Sequence, residues 1–178
     1  MSKVLVIQTS LRAKSNSDRL AEELIRGAKE AGHEVENISL KGKEIRFCIG
    51  CLACQKTQKC VQKDDAVQIA EKVKNADTLV FVTPIYYYEM TGQMKTMIDR
   101  ANALFVKDYK FCDIYMLSTA AEEDASACER AVTGLKGWIA CFPKSRFAGS
   151  VFAGGVTDKG DISGHKALDE AYDLGRNA

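Results

Sequence analysis

No apolar run in this chain approaches the roughly 20 residues that span a bilayer, and Met1-Ser2-Lys3 leads straight into a strand without the layout of a signal peptide. A cytoplasmic location and no membrane partner are the expectations. Neither sign of charge is in surplus. The 25 Lys and Arg against 24 Asp and Glu give a net charge of +1, which lacks the basic excess of a nucleic-acid binder and any pull toward an anionic lipid surface. Only two prolines occur, with no linker rich in Pro, Gly or Ser, no internal repeat and no low-complexity stretch. Residues 1–178 therefore read as a single domain, and 46% apolar residues are enough to give it a core. Cysteine is the resource in excess. Seven cysteines, an odd number, without a secretory signal read as thiols, redox groups or metal ligands before structural disulfides.

Apolar residues recur with two alternating periods. Short buried runs at Val4–Ile7, Leu79–Val82, Ile114–Leu117 and Phe147–Ala153 read as strands, and Val35–Leu40 as a weaker strand at a sheet edge. Between them lie helical stripes: Leu20, Leu24, Ala28 and Ala31, stopped by Gly32; Val67, Ala70 and Val73, capped by Asp64 or Asp65; Met94, Met97, Ile98, Ala101 and Leu104; Cys128, Val132, Leu135, Ile139 and Phe142, halted by Pro143; and Leu168, Ala171 and Tyr172. Five strands alternating with helices predict an α/β fold, a doubly wound five-stranded parallel sheet covered on both faces. Ligands of such sheets bind at the carboxyl ends of the strands. The loops starting at Thr9, Thr83 and Ser118 are therefore where a site is expected.

The first of these loops, "TSLRAKSNS" (residues 9–17), brings hydroxyls, an amide and the cations Arg12 and Lys14 to the start of a helix. Unpaired N–H groups and the helix dipole favour an anion there, and an Arg can fork onto phosphate oxygens. Capping alone needs one such residue; the surplus favours a phosphate site. G-x-x-x-x-G-K is absent, and no glycine lies between Met1 and Arg26, which disfavours a nucleoside triphosphate or a Rossmann-type dinucleotide. In the second loop, three tyrosines follow Pro84 and Ile85. They suit a flat apolar wall for a planar heteroaromatic ring, or a patch packed on a partner subunit, and the two are compatible.

With these residues the chain resembles the flavodoxin-like NAD(P)H-dependent FMN reductase and quinone reductase family. "TSLRAKSNS" is similar to its phosphate loop, G-S-P-R-x-x-S-N-T, with Thr9 and Leu11 standing where the family often has Gly and Pro. "TPIYYYEMTGQMKTMIDR" (83–100) is similar to its ring-binding loop and the helix after it, "GGVTDKGDI" and "ALDEAYDLG" to its closing strand, loop and helix. The third loop, "STAAEED", departs from the glycine the family often has there. The resemblance implies a flavodoxin-like sheet of order 2-1-3-4-5 holding one FMN. Ser10, Arg12, Asn16 and Ser17 would bind its phosphate. Pro84, Ile85, Tyr86 and Tyr87 would line the isoalloxazine with Tyr88 and Glu89 nearby, and Ser118, Thr119 and Ala120 would lie on its far side. It further implies NAD(P)H as co-substrate, hydride transfer through flavin N5 to a quinone, a free flavin or a similar small acceptor, and a homodimer or higher homo-oligomer. The chemistry is the flavin's, so no protein acid or base is expected to be catalytic. His33 and His165 carry no surrounding motif and read as surface or loop residues.

Cys48, Cys51, Cys54 and Cys60 stand as C-x2-C-x2-C-x5-C in an insert spanning about residues 47–63. The first three have the compact spacing that lets thiolates converge on one cluster, and the insert resembles that of the iron–sulfur flavoproteins. Three readings stand beside each other: ligands of a four-iron cluster in an electron carrier, a structural zinc site, or thiols beside the active site. Cys128, on a helix stripe, and Cys112, beside a strand, read as small core thiols, and Cys141 is ambiguous.

Overall fold

The computed structural model describes residues 1–105 and 108–178. Its order is β1 (Lys3–Gln8), α1 (Asn16–Glu30), β2 (Glu34–Ser39), α2 (Ala53–Thr57), α3 (Asp65–Asn75), β3 (Thr78–Tyr86), β4 (Glu89–Met90), α4 (Gly92–Arg100), β5 (Asp113–Thr119), α5 (Glu129–Ile139), β6 (Arg146–Ala153) and α6 (Ala167–Arg176). Strand order is β2-β1-β3-β5-β6, all parallel, with β4 folded back antiparallel on β3. Leaving out that two-residue strand, this is the expected 2-1-3-4-5 order, with β2 at an edge.

The sheet follows from near-continuous apolar strands whose alternate side chains enter opposite layers. Leu5, Ile7, Leu79, Phe81, Ile114 and Met116 face α3, α4 and α5, while Val4, Val6, Val80, Val82 and Leu117 face α1 and α6. Each buried side chain of this size contributes about 1.5–3 kcal/mol. The layer of α1 and α6 is unusually close: a Cβ on Gly27 would lie 2.1 Å from the Tyr172 carbonyl oxygen, and one on Gly175 2.1 Å from that of Leu24. Helix backbones there touch, which only glycine permits.

Some boundaries differ from the sequence pattern. The stripe from Met94 to Leu104 is one apolar face but two helices, since α4 ends at Arg100 and Ala101–Leu104 tighten into a 3₁₀ turn. Ala31 is the C-cap of α1, Cys128 precedes α5 as its N-cap, and Phe142 is buried beyond its end. Cys128 is buried, and burial pushes its thiol up from the ordinary range. Cys112 is not a core thiol. It sits exposed just before β5, its Sγ donating to the Lys110 carbonyl at 3.4 Å.

Candidate functional site

The carboxyl ends of β1, β3, β5 and β6 open onto one cleft of ≈ 200 Å³. The loop after β1 gives it Ser10, Arg12 and Ser15, and α1 gives Asn16 and Ser17; Pro84, Ile85 and Tyr86 come from the end of β3. Thr119, Ala120 and Ala121 come from β5 and its loop, and Val156 and Thr157 from the loop after β6.

Helix α1 meets the cleft with its amino end. Ser15 is the N-cap of a capping box: its Oγ accepts from the Asp18 N–H at 3.2 Å, while Asp18 accepts the Ser15 N–H at 2.9 Å. Capping thus consumes one serine, and the amides of Asn16 and Ser17 have no hydrogen-bond acceptor among the described residues. Ser10, Asn16 and Ser17 are buried, and Arg12 is exposed at the rim. One Arg12 N–H donates to the Thr157 carbonyl at 2.9 Å, leaving the rest of its fork available. Asn16 bridges to the same loop, donating to the Asp158 carbonyl at 2.9 Å and accepting the Gly160 N–H at 3.1 Å. Asp161 gathers the Thr157 and Asp158 N–H groups at 2.9 and 2.7 Å. The loop after β6 is therefore tied to the phosphate-loop candidates themselves.

Three buried threonines fix the first two loops to each other. Thr91 Oγ1 donates to Thr9 Oγ1 at 3.0 Å, the Thr91 N–H donates to Thr83 Oγ1 at 3.2 Å, and Thr9 Oγ1 donates to the Val82 carbonyl at 3.0 Å. Thr91 also caps α4. Beyond Pro84, β3 and β4 form a hairpin in which Ile85 pairs with Met90 and Tyr86 with Glu89. Its two turn residues, Tyr87 at φ 51° and Tyr88 at φ 64°, both occupy the left-handed region, where non-glycine residues are uncommon. Such strain persists where surrounding structure enforces it, and sites of function are where it gathers.

Of the residues singled out in the sequence, Ser10, Arg12, Asn16, Ser17, Pro84, Ile85, Tyr86, Thr119 and Ala120 line this one cleft. Four do not. Tyr87 and Tyr88 form the exposed hairpin tip, with Arg130 above the Tyr88 ring at 6.0 Å from its centroid. Glu89 turns back to accept the Met90 N–H at 2.8 Å. Ser118 is fully buried on the β5 face of Ile114 and Met116. The alternation of a strand foretells this, since Thr119 and Ser118 must point to opposite sides. Ala121, Val156 and Thr157 line the cleft without having been singled out, and Thr91, though inside the stretch 83–100, was given no role of its own. His33 and His165 each accept a backbone N–H, from Ser2 and Ala167.

The cysteine segment lies elsewhere, against the other end of α4. Its base is closed by the Arg46 N–H to Asp64 at 2.9 Å, by a reciprocal pair between Glu44 and Asp65, and by Gln62 Nε2 to the Phe47 carbonyl at 2.8 Å. Arg100 and Asp64 form a buried ion pair beneath it. Burial, the largest single influence, pushes the Asp64 carboxyl up, but the Arg100 hydrogen bond and charge together with the Arg46 and Ala66 N–H groups outweigh it, so the group lies below the usual carboxylate range. Cys48 and Cys51 are exposed; Cys54 and Cys60 are half-buried. Among the described residues no three Cys, His, Asp or Glu side chains converge closely enough to hold a metal ion. The donor set nonetheless has the chemistry of an iron–sulfur ligand set, with four thiols in thirteen residues and N–H donors from Arg100 and Asn102 on two of the sulfurs.

Residues 2–155 match the family model described as NADPH-dependent FMN reductase. The chain belongs to this family. It is 34% identical over 98 residues to an iron-sulfur flavoprotein of Archaeoglobus fulgidus, covering 55% of this chain and 44% of that protein. A Bacillus subtilis protein, provisionally named an NAD(P)H-dependent FMN-containing oxidoreductase, is 32% identical over 111 residues, 62% of this chain and 58% of its own. The chain thus spans about half the length of the curated relatives it matches. Among solved structures, an NAD(P)H:quinone oxidoreductase from Methanothermobacter marburgensis superimposes with a TM-score of 0.78 at 21% identity, over 99% of this chain and 95% of that one. At that identity the likeness concerns the fold, which is flavodoxin-like and doubly wound. Among the described residues no helix is long and apolar enough to cross a membrane.

Proposed function

We propose that the chain binds one FMN in the four-loop cleft and uses NAD(P)H to reduce a small acceptor of the quinone or flavin type. The observation that carries this reading is that nine residues nominated from separate loops line a single cleft at the carboxyl end of the sheet. When bound, FMN would supply the hydride- and electron-transfer chemistry between NAD(P)H and the acceptor. The protein's part is binding and orientation. The amino end of α1, with Ser10, Asn16, Ser17 and the free fork of Arg12, presents N–H and O–H donors to a phosphate. Ile85 and Tyr86 offer an apolar wall for the ring, and the threonine network holds that wall at a fixed distance from the phosphate loop. Thr119 and Ala120 form the opposite side. The strained hairpin puts Tyr86, Tyr87 and Tyr88 on the surface at 55%, 98% and 51% exposure, beside the cleft. A second copy of the chain covering them is the homodimer we assign to the protein, working in the cytoplasm. The test is FMN titration followed by NADPH and NADH oxidation with a quinone acceptor: stoichiometric binding and acceptor-dependent oxidation are expected, and FMN binding without either oxidation contradicts the enzymatic part.

A second reading has its own observation. The N–H groups that Arg100 and Asn102 direct at Cys60 and Cys54, together with the likeness to an iron-sulfur flavoprotein, favour an iron–sulfur cluster on the quartet that exchanges electrons with the flavin. Iron and sulfide analysis of anaerobically purified protein separates a carrier with a stoichiometric cluster from a reductase with free thiols.

A further inference from the structure

The carboxyl end of α4 receives both ends of the cysteine segment and two of its sulfurs. Arg100 is 3% exposed. Its Nη1 donates to Asp64 Oδ2 at 2.5 Å and to the Arg46 carbonyl at 2.8 Å; its Nη2 donates to Asp64 Oδ1 at 2.8 Å, to Cys60 Sγ at 3.3 Å and, at longer range, to the Gln62 carbonyl at 3.5 Å. Two residues on, Asn102 Nδ2 donates to Cys54 Sγ at 3.3 Å. Cys48 and Cys51 receive no such bond among the described residues. Arg100 Nε, fully buried, has no partner among them either.

Asp64 accounts for the charge of the guanidinium but not for the N–H aimed at sulfur. A neutral thiol is a weak acceptor, and a buried Arg donor is a costly group to leave poorly paired. An anionic, metal-bound sulfur turns the same contact into a charge-assisted bond. We infer that Arg100 and Asn102 are positioning residues for the sulfurs of Cys60 and Cys54, orienting these two as the anchored ligands of the quartet and raising the reduction potential of the group they hold. The inference rests on the iron–sulfur reading above. Its physical basis is that an N–H donor on a ligand sulfur stabilises the more electron-rich, reduced state, so hydrogen bonding of this kind sets potential. Placing both donors at the end of one helix and its 3₁₀ continuation gives them a rigid mount.

The test is anaerobic reconstitution with ferrous iron and sulfide, followed by iron and sulfide analysis and a midpoint potential from a titration followed by electron paramagnetic resonance. The proteins compared are the wild type, Asn102→Leu, Arg100→Lys and Lys95→Gln. Lys95 is an exposed cation paired with Asp99 on the same helix, so its removal tests for a general charge effect. Wild-type loading with a more negative potential in Asn102→Leu and Arg100→Lys, and none in Lys95→Gln, is the expected result. A fully loaded Asn102→Leu with the wild-type potential overturns the inference and leaves the iron–sulfur reading standing. Wild-type protein that takes up no iron and sulfide overturns that reading, and this inference with it. Should Arg100→Lys fail to fold, Asn102→Leu decides alone, since Asn102 is outside the buried ion pair.

Discussion

The candidate cleft is tied to the Thr91 end of α4 and the cysteine sulfurs to its Arg100 end, the two ends of a nine-residue helix about 13 Å long, and the two regions are held in different ways. At the Thr91 end the loops spring from strand termini, and neutral hydroxyls and backbone groups link them to one another. At the Arg100 end the segment carries only the short α2, with left-handed residues at Leu52 and Gln58 flanking it, and its attachment combines one buried charge pair with a few hydrogen bonds at its base. The sheet dictates the shape of the cleft. The shape of the segment depends on a few side chains, which makes it the more easily disturbed of the two.

Cutting that attachment is the largest way to separate the regions. Asp64→Asn leaves Arg100 buried without its counter-charge, for which a loss of about 3–5 kcal/mol is expected, read by urea unfolding. FMN affinity of the folded variant should stay at the wild-type value, and a parallel loss would join what we describe as separate. On the cleft side, Arg12→Ala with Ser17→Ala removes charge-assisted donors worth about 1.5–3 kcal/mol. FMN binding by fluorescence titration should weaken roughly tenfold to a hundredfold, with little change in stability. Unchanged affinity would remove the phosphate role of the first loop. Tyr86→Ala takes away a ring contact of about 0.5–1.5 kcal/mol; a shifted spectrum of bound flavin and NAD(P)H oxidation slowed several-fold are expected, and normal kinetics would count against the tyrosine wall.

Acid should loosen the segment through the same carboxyl. Because Asp64 has a lowered folded pKa, its stabilising contribution is complete above the unfolded value of about 3.9 and is lost as pH falls through the lower folded value. Urea midpoints measured downward from pH 5 should show an acid-side slope that is shallower in Asp64→Asn. The smallest effect is expected at the hairpin tip. Tyr87→Gly relieves a left-handed residue that is almost wholly exposed, and a gain of about 0.5–1 kcal/mol in unfolding free energy is expected, the relief being partly offset by the freedom glycine has in the unfolded chain.

How much of this could be read beforehand differs between the two ends. The strand cores were legible because a central parallel strand must be apolar on both faces, so Val4–Ile7 and Leu79–Val82 announce themselves. The first loop's surplus of donors over what a cap consumes was legible, and Ser15 proved to be the cap. The hairpin was less so: tyrosines seldom adopt the turn that Tyr87 and Tyr88 make, and nothing local signals it without a glycine. Ser118 and Thr119 needed strand parity to tell apart. Thr91, the tie between loops, works through contacts far along the chain. The cysteine spacing was plain, but the donors that reach its sulfurs lie some 40 residues downstream, beyond any periodicity in sequence.

The central claim, that four loops at the carboxyl end of the sheet hold a flavin by its phosphate and its ring, is tested most directly by adding excess FMN to the purified protein, desalting, and recording the visible spectrum alongside a calorimetric titration. The account predicts a yellow protein retaining one FMN per chain, with a measurable heat of binding. A colourless protein and a flat titration would contradict it.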